Sequence, residues 1–109
     1  MVIDFERMEE TIIPGFRGGT GETAARMFAD ENGKIMQGRL APGASIGSHA
    51  HETSSEIIYI LSGIGKALYD GRTETLGPGQ CHYCPKGHSH SLINDGEEEL
   101  CFFAVVPEQ

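Results

Sequence analysis

Two short stretches of the sequence carry histidines at spacings that could bind a metal ion. His49 and His51 stand two residues apart, so on an extended strand both imidazoles point to the same side. Glu56 begins the apolar run that follows, and a hairpin between the two strands would bring its carboxylate to the same point. The second half of the chain offers His88 and His90 as candidates for a fourth ligand. Three imidazole nitrogens and one carboxylate oxygen suit a divalent transition metal.

These residues need a scaffold, and the pattern of turn signals predicts one made of strands. Asn32-Gly33 and Asp70-Gly71 are strong hairpin signals, and other glycines and prolines divide the chain elsewhere. The runs between the turns include EIIYIL, QCHYC, HSLIN and ELCFFAVV. Short runs at this spacing indicate an all-β sandwich or barrel. Glu22–Asp30 contains residues that favour a helix, but the Asn-Gly pair just after it makes a strand the preferred interpretation.

The run EIIYIL is apolar on both of its alternating faces, apart from Glu56. We therefore expect both faces to be buried, and ELCFFAVV follows the same pattern. In a small closed barrel only one face looks inward. The other face must then be covered by a terminal arm, a second sheet or a second subunit, and a homodimer is the most economical of these.

The spacing of glycines and prolines around the histidines resembles the two motifs of the cupin superfamily. The residues that match the first motif are Gly43, His49, His51, Glu56 and Gly63. Those that match the second motif are Gly79, Pro85, Gly87, His90 and Asn94. The chain is most similar to small single-domain cupins of the oxalate-decarboxylase-like type, and the segments GASIGSHAH and FRGGTGE strengthen that likeness.

This resemblance implies a double-stranded β-helix, or jelly-roll barrel, with one metal ion inside. It assigns ligand roles to His49, His51, Glu56 and His90. We expect an N-terminal arm over residues 1–22 that belongs to the same domain as a barrel over 23–109. An octahedral ion would keep two positions open for water, substrate or dioxygen, which favours Mn, Fe or Ni and leaves Zn, Co or Cu as alternatives.

Further residues are candidates for the pocket or for contact with the ligands. They are Arg39, His82, Cys84 and His88. Arg39 could anchor a carboxylate by a bidentate contact, although a solvated position is the more common outcome. His82 and Cys84 share a strand face, and one of them would support a ligand if that face looks inward. His88 is either a base at the pocket rim or, as the simpler interpretation, a solvated loop residue.

Two other features are expected to be structural and to have no role in binding the metal or in catalysis. The glycine-rich segment FRGGTGE is interpreted as an arm that crosses to a partner subunit or flanks the pocket mouth. Cys81 and Cys84 form a CxxC pair, but residues three apart on a strand point to opposite faces. Their sulfurs would not converge, so both cysteines are expected to be structural.

Composition narrows the classes of partner. The chain has 16 acidic and 8 basic residues, for a net charge of −8, which argues against nucleic-acid binding and gives no sign of binding anionic membranes. No apolar run approaches the roughly 20 residues of a membrane span, and the acidic N-terminus is unlike a secretory signal. We therefore expect a cytoplasmic protein whose three cysteines are free thiols.

The resemblance and the ligand set together predict a metal-dependent enzyme that acts on a small polar organic acid or sugar. It would be a dioxygenase (an oxidoreductase), a decarboxylase or an isomerase/lyase, with the ion as Lewis acid or oxygen activator. The alternative is a non-catalytic module that binds or senses a small ligand through its metal. No catalytic acid or base beyond the ligands is evident in the sequence, which leaves the reaction, the substrate and the native metal open.

Overall fold

A computed structural model describes all 109 residues, Met1–Gln109. Its ten strands are β1 (Thr11–Pro14), β2 (Glu22–Asp30), β3 (Gly33–Leu40), β4 (Ser45–Ala50), β5 (Glu56–Ser62), β6 (Gly65–Tyr69), β7 (Arg72–Leu76), β8 (Cys81–Cys84), β9 (Ser89–Ile93) and β10 (Leu100–Pro107). Two short 3-10 turns, Phe5–Arg7 and Phe16–Gly18, flank β1. Neither helical segment has the length or the apolar character to cross a membrane.

The strands form two antiparallel sheets that face each other across the core. The larger sheet has the order β1-β2-β3-β10-β5-β8, and the smaller one has the order β4-β9-β6-β7. Each sheet therefore contains strands from both halves of the sequence, as a jelly roll requires. This topology confirms the predicted double-stranded β-helix, and it places β4 and β5, which follow one another in the chain, in different sheets.

Two tight hairpins confirm the turn signals. Asp70 and Gly71 have φ angles of 49° and 80°, and positive φ at both central residues is what a type I′ turn between β6 and β7 requires. In the second hairpin Asp30 pairs with Gly33, so the turn residues are Glu31 and Asn32, one position before the Asn-Gly pair that signalled the hairpin. Because β2 spans Glu22–Asp30, the strand predicted there is confirmed and the helical alternative is not formed.

The apolar core lies between the sheets, around the middle of β3, β10 and β5. Its largest fully buried side chains are Phe102, Leu40, Ile58, Ile60, Leu92 and Leu100. Phe102 pairs with Gly38 on the neighbouring strand, and a β-carbon at Gly38 would lie 2.5 Å from the Cζ atom of the ring. The glycine therefore provides the space that this aromatic side chain occupies.

The outer face of β5 does not follow the prediction that both faces are buried. Its outward residues are Ile57, Tyr59 and Leu61, which are 36%, 43% and 45% exposed. The N-terminal segment covers only the neighbouring part of the sheet, where the ring of Phe5 packs edge-on against Phe103 of β10 at 6.1 Å between centroids. Within one chain the outer surface of β5 stays open, because the segment packs on β10 and does not extend over β5.

Candidate metal centre

Four side chains converge inside one end of the barrel. His49 and His51 come from β4, Glu56 begins β5, and His90 lies on β9. The three Nε2 atoms and Oε1 of Glu56 lie 2.9 to 3.6 Å from one another. Atoms so spaced surround a point roughly 2 Å from each of them, which is the usual length of a metal–nitrogen or metal–oxygen bond.

The two sheets supply the cluster from opposite sides. β4 and β9 pair so that His49 lies directly opposite His90, after a bulge that shifts the register beyond Ile46. His51 follows on the same side of β4. Glu56 belongs to the other sheet, so the predicted hairpin between these strands is wrong. The bend before Glu56 carries the chain from one sheet to the other, and the carboxylate reaches the histidines across the barrel interior.

Each of the three histidines has its second ring nitrogen engaged. Nδ1 of His49 lies 2.8 Å from the Gly47 carbonyl oxygen, Nδ1 of His51 lies 3.0 Å from Ser54 Oγ, and Nδ1 of His90 lies 3.0 Å from His82 Nε2. A carbonyl oxygen can only accept, so His49 carries its proton on Nδ1 and turns the Nε2 lone pair toward the cluster. Such partners fix the tautomer and orientation of a ligand ring.

The electrostatics of the cluster favour a cation at its centre. Burial alone would raise the pKa of the Glu56 carboxyl, but hydrogen bonds with His49, His51 and His90 outweigh it and hold that pKa well below its usual range. Burial lowers the pKa of His90, which favours the neutral ring. Imidazole nitrogens 2.9 to 3.2 Å apart need a proton or a cation between each pair. One divalent ion satisfies all four atoms at once, so the residues fit a metal.

A narrow cavity, with room for about one water molecule, opens beside the cluster. His49, His51 and Glu56 line it together with Phe16, Arg17, Lys34, Met36 and Ile46. A wider cleft shares Arg17, Lys34 and His51 with this cavity. The wider cleft is therefore the space open to a small molecule. Arg17 and Lys34 line both the cleft and the cavity, whereas Asp30, Glu52 and Glu108 line the cleft alone.

Arg17 is placed there by the glycine-rich loop 15–21, which packs against β4. Ser45 and Thr20 exchange hydrogen bonds: the Ser45 N–H donates to the Thr20 carbonyl, and the Thr20 N–H donates to Ser45 Oγ. The backbones lie so close that a β-carbon on Gly47 would come within 2.1 Å of the Arg17 carbonyl oxygen. FRGGTGE therefore flanks the pocket mouth, one of the two positions predicted for it.

The comparisons with known proteins agree with this architecture. The family model described as Cupin domain matches residues 36–106, more than half of the chain. The protein is a cupin. The oxalate-binding protein of Thermotoga maritima is 32% identical to it over 112 residues, which cover 97% of this chain and 93% of that relative.

Solved structures share the fold of this cupin. A predicted oxalate decarboxylase from Thermotoga maritima superposes with a TM-score of 0.93 at 30% identity, over 100% of both chains. A polyketide cyclase from Streptomyces resistomycificus superposes with a TM-score of 0.78 at 24% identity, over 98% of this chain and 78% of that one. The second similarity is one of fold alone.

Two of the other predicted site residues lie on the inner face of β8. His82 is buried and contacts the His90 ring. Cys84 is buried as well, but it is not among the four clustered residues. Burial raises the pKa of its thiol to about 11, so the sulfur stays protonated. Cys81 is exposed, and the two sulfurs therefore lie on opposite faces, as predicted.

Arg39 and His88 lie away from the cluster. The guanidinium of Arg39 pairs with the carboxylates of Glu10 and Glu99, and its position between inward-facing neighbours places it on the outer face of the larger sheet. This agrees with the solvated position that was the favoured interpretation of Arg39, rather than with the alternative that it anchors a substrate. His88 bonds to the Asp70 carboxylate at 2.5 Å with a side chain that is partly exposed, which agrees with the solvated-loop interpretation.

Three residues near the cluster are absent from the sequence predictions: Arg17, Lys34 and Glu74. The segment FRGGTGE was expected near the pocket mouth, and Arg17 is its only cation, so that signal was available. Lys34 follows the turn residue Gly33, and Glu74 lies in the polar strand RTETL. Nothing local distinguishes these two, because their place depends on how distant strands pack.

Proposed function

We propose that this cupin binds one divalent transition metal through His49, His51, Glu56 and His90, and that the metal holds a small carboxylate ligand. The observation that carries the proposal is the convergence of four ligand atoms within 3.6 Å of one another. Four protein ligands leave open positions on a six-coordinate ion, which supports Mn, Fe or Ni ahead of Zn, Co or Cu.

The chemistry of the cavity supports an anionic ligand. Arg17 and Lys34 line the narrow cavity beside the cluster, and guanidinium is the group best matched to a planar carboxylate. The narrow cavity has room for about one water molecule, so a compact acid would also extend into the wider cleft, which Arg17 and Lys34 line as well. The relative from Thermotoga maritima is an oxalate-binding protein, and oxalate is the first ligand to test. When bound, the ion would supply a Lewis acid for the carboxylate oxygens.

The residues of the chain have distinct parts in this binding. Arg17 and Lys34 compensate the charge of the entering anion, and Met36, Ile46 and Phe16 line the remaining wall and reduce the access of water. Gly47 holds the ring of His49 and also contacts the loop that carries Arg17. The ligand site and the anion site are therefore coupled through one backbone segment.

Turnover is the second candidate function, and Lys34 favours it. Lys34 lines the same cavity as the ligands, and its ammonium group would be the proton donor to a product formed from an organic acid. The solved structure that shares 30% of the sequence is a predicted oxalate decarboxylase. A dioxygenase or an isomerase/lyase acting on a sugar has no comparable support from the residues around the cavity.

The test begins with the metal content of protein purified without added metal, followed by calorimetric titration with oxalate and with uncharged oxamide. We expect one metal per chain, oxalate binding that requires it, and no binding of oxamide. Loss of one charge-assisted contact in Arg17→Gln or Lys34→Gln should weaken oxalate binding about 10- to 100-fold. Arg7→Gln, at an exposed site, and Lys66→Gln, at a partly exposed site, both outside the cavity, are the matched controls.

The outcomes separate the candidates. A chain that binds no metal, or that binds oxalate equally well after chelation, would refute the proposal. Release of formate or carbon dioxide from oxalate would establish turnover, and metal-dependent binding without release would establish a binding protein. Equal binding of oxalate by the control variants and the cavity variants would show that oxalate does not bind in the cavity.

We further propose a homodimer in the cytoplasm. The open outer face of β5 continues onto Tyr83 of β8, which is also exposed, and this apolar surface would be covered by a second copy. Three free cysteines suit a reducing compartment. Light scattering after size-exclusion chromatography should give twice the chain mass, and Tyr59→Lys should give the monomer. A monomeric wild type would refute the dimer.

A further inference from the structure

A chain of hydrogen bonds runs from the cluster to the protein surface. Nδ1 of His90 lies 3.0 Å from Nε2 of His82, and Nδ1 of His82 lies 2.8 Å from Oε1 of Glu74. The side chain of His82 is 0% exposed and that of Glu74 is 45% exposed. Both ring nitrogens of His82 are therefore hydrogen-bonded, one to a cluster histidine and the other to a surface carboxylate.

The carboxylate sets the direction of every bond in this chain. Ionised Glu74 can only accept, so His82 donates from Nδ1 and leaves Nε2 as an acceptor. His90 must then donate from Nδ1, which leaves its Nε2 lone pair free for the cluster. A single charge at the surface therefore specifies the tautomers of two histidines in series.

The same series of hydrogen bonds joins the two sheets at their edges. β8, which carries His82, is the last strand of the larger sheet, and β7, which carries Glu74, is the last strand of the smaller one. His90 lies on β9 of the smaller sheet. The ring of His82 is stacked beside that of His90, at 5.2 Å between centroids and an interplanar angle of 22°. The position of the His90 ring thus depends on how the two sheet edges meet.

We propose that Glu74 and His82 are positioning residues that hold His90 in its metal-binding tautomer and orientation, and that strengthen it as a ligand by the charge of Glu74. The inference rests on the proposed function of the cluster as a metal centre. Neither residue touches the metal position or the cavity. Their effect reaches the ion only through the His90 ring.

Metal affinity is the first test, measured by competition of Co²⁺ between the protein and a chelator at physiological salt. Outer partners of metal ligands typically change affinity 10- to 100-fold, so Glu74→Gln should weaken Co²⁺ binding about 10-fold and His82→Gln should weaken it more. Glu97→Gln removes the same charge from the exposed turn between β9 and β10 and should leave the affinity unchanged. Glu74→Asp keeps the charge and should bind Co²⁺ more tightly than Glu74→Gln.

Two spectroscopic readouts separate positioning from mere structural support. The visible absorption bands of bound Co²⁺ should shift in Glu74→Gln and not in Glu97→Gln. Long-range ¹H–¹⁵N NMR of the metal-free wild type should show the proton on Nδ1 of both His82 and His90. A proton on Nε2 of His82 would overturn the proposal, and so would an unchanged affinity and Co²⁺ spectrum in both Glu74→Gln and His82→Gln.

The proposed function can fail independently of this inference. If the wild type binds no metal, the metal centre is refuted, and the proton positions in the NMR spectrum still decide whether Glu74 orders the two rings. If the wild type binds metal and the variants match it, the metal centre stands and the positioning role is refuted.

Discussion

The interior of this barrel consists of two halves with opposite chemistry, and the change occurs within single strands. β5 passes from Glu56 to Ile60, and β9 passes from His90 to Leu92, always on the inward face. At one end the side chains are fully buried hydrocarbons. At the other end, histidines and a carboxylate meet one another, and each histidine has a hydrogen-bond partner behind it.

The difference teaches how stability and chemistry are divided in a chain of this size. Burial of apolar side chains stabilises the fold whatever is bound. Buried polar groups stabilise only when all of their hydrogen bonds or charges are matched. The apolar half should therefore determine the stability of the metal-free protein, and the polar half should determine how much that stability rises on metal binding.

The largest expected effect comes from the centre of the apolar half. Phe102→Ala removes a ring that is 0% exposed and should lower the free energy of unfolding by about 3–5 kcal/mol, as measured by urea denaturation of the metal-free protein. Phe103→Ala on the outer face of the same strand is the matched control and should cost clearly less. Equal losses in the two variants would contradict the division between inner and outer faces.

The next effect belongs to the polar half. Metal at a hundredfold excess over its dissociation constant should raise the free energy of unfolding by about 2.7 kcal/mol, and chelator should remove that gain. Glu56→Gln takes away the one charged ligand and should abolish most of the gain. Thermal denaturation with metal and with chelator measures both quantities. A gain that persists in Glu56→Gln would show that metal stabilises the protein from another site.

The polar half was the more predictable one from the sequence. His49, His51, Glu56 and His90 stand at informative spacings, and the structure brings all four together. The sequence did not show that Glu56 lies in a different sheet from His49 and His51. The sheet to which a strand belongs depends on its pairing with strands far along the chain. The exposure of the outer face of β5 was not predicted either. An apolar pattern shows that a face is suited to burial, but it does not show what covers that face.

The two arginines show which positions the sequence could orient and which it could not. Arg39 lies between Gly38 and Leu40 in a strand whose alternate positions are apolar, so the alternation already favoured an outward arginine. Arg17 lies in a loop with no periodicity, where its φ is 55° and its carbonyl oxygen lies close to Gly47 of β4. The alternation along a strand predicts which way each side chain points. In a loop the direction of a side chain depends on the contacts that the loop makes.

A smaller effect separates the two functions of the second cupin motif, which holds both His90 and Asn94. The side chain of Asn94 is buried, donates to the carbonyls of Leu40 and Glu98 at 2.8 Å, and accepts from the Gly96 N–H. Asn94→Ala leaves these groups unpaired and should lower the free energy of unfolding by about 1–3 kcal/mol.

The affinity for metal should not change in the folded Asn94→Ala variant, because Asn94 does not contact the cluster. Asn32→Ala, in the exposed turn between β2 and β3, should stay within about 0.5 kcal/mol of the wild type. Urea denaturation and Co²⁺ competition measure the two properties separately. A loss of metal affinity in Asn94→Ala comparable to that of a ligand variant would show that the backbone held by Asn94 also determines the geometry of the metal ligands.

The smallest effect compares the two faces of β8 through its cysteines. Cys81 is exposed, whereas Cys84 is buried and its thiol pKa is raised to about 11. Because the thiolate is the reactive form, iodoacetamide at pH 8 should alkylate Cys81 and spare Cys84, as read by peptide mass spectrometry. A raised thiol pKa also means that the contribution of Cys84 to stability is present below about pH 9 and is lost as the pH rises toward 11. Alkylation of Cys84 should therefore begin only in that range or after unfolding, and equal rates for both cysteines at pH 8 would show that the inner face of β8 opens to solvent.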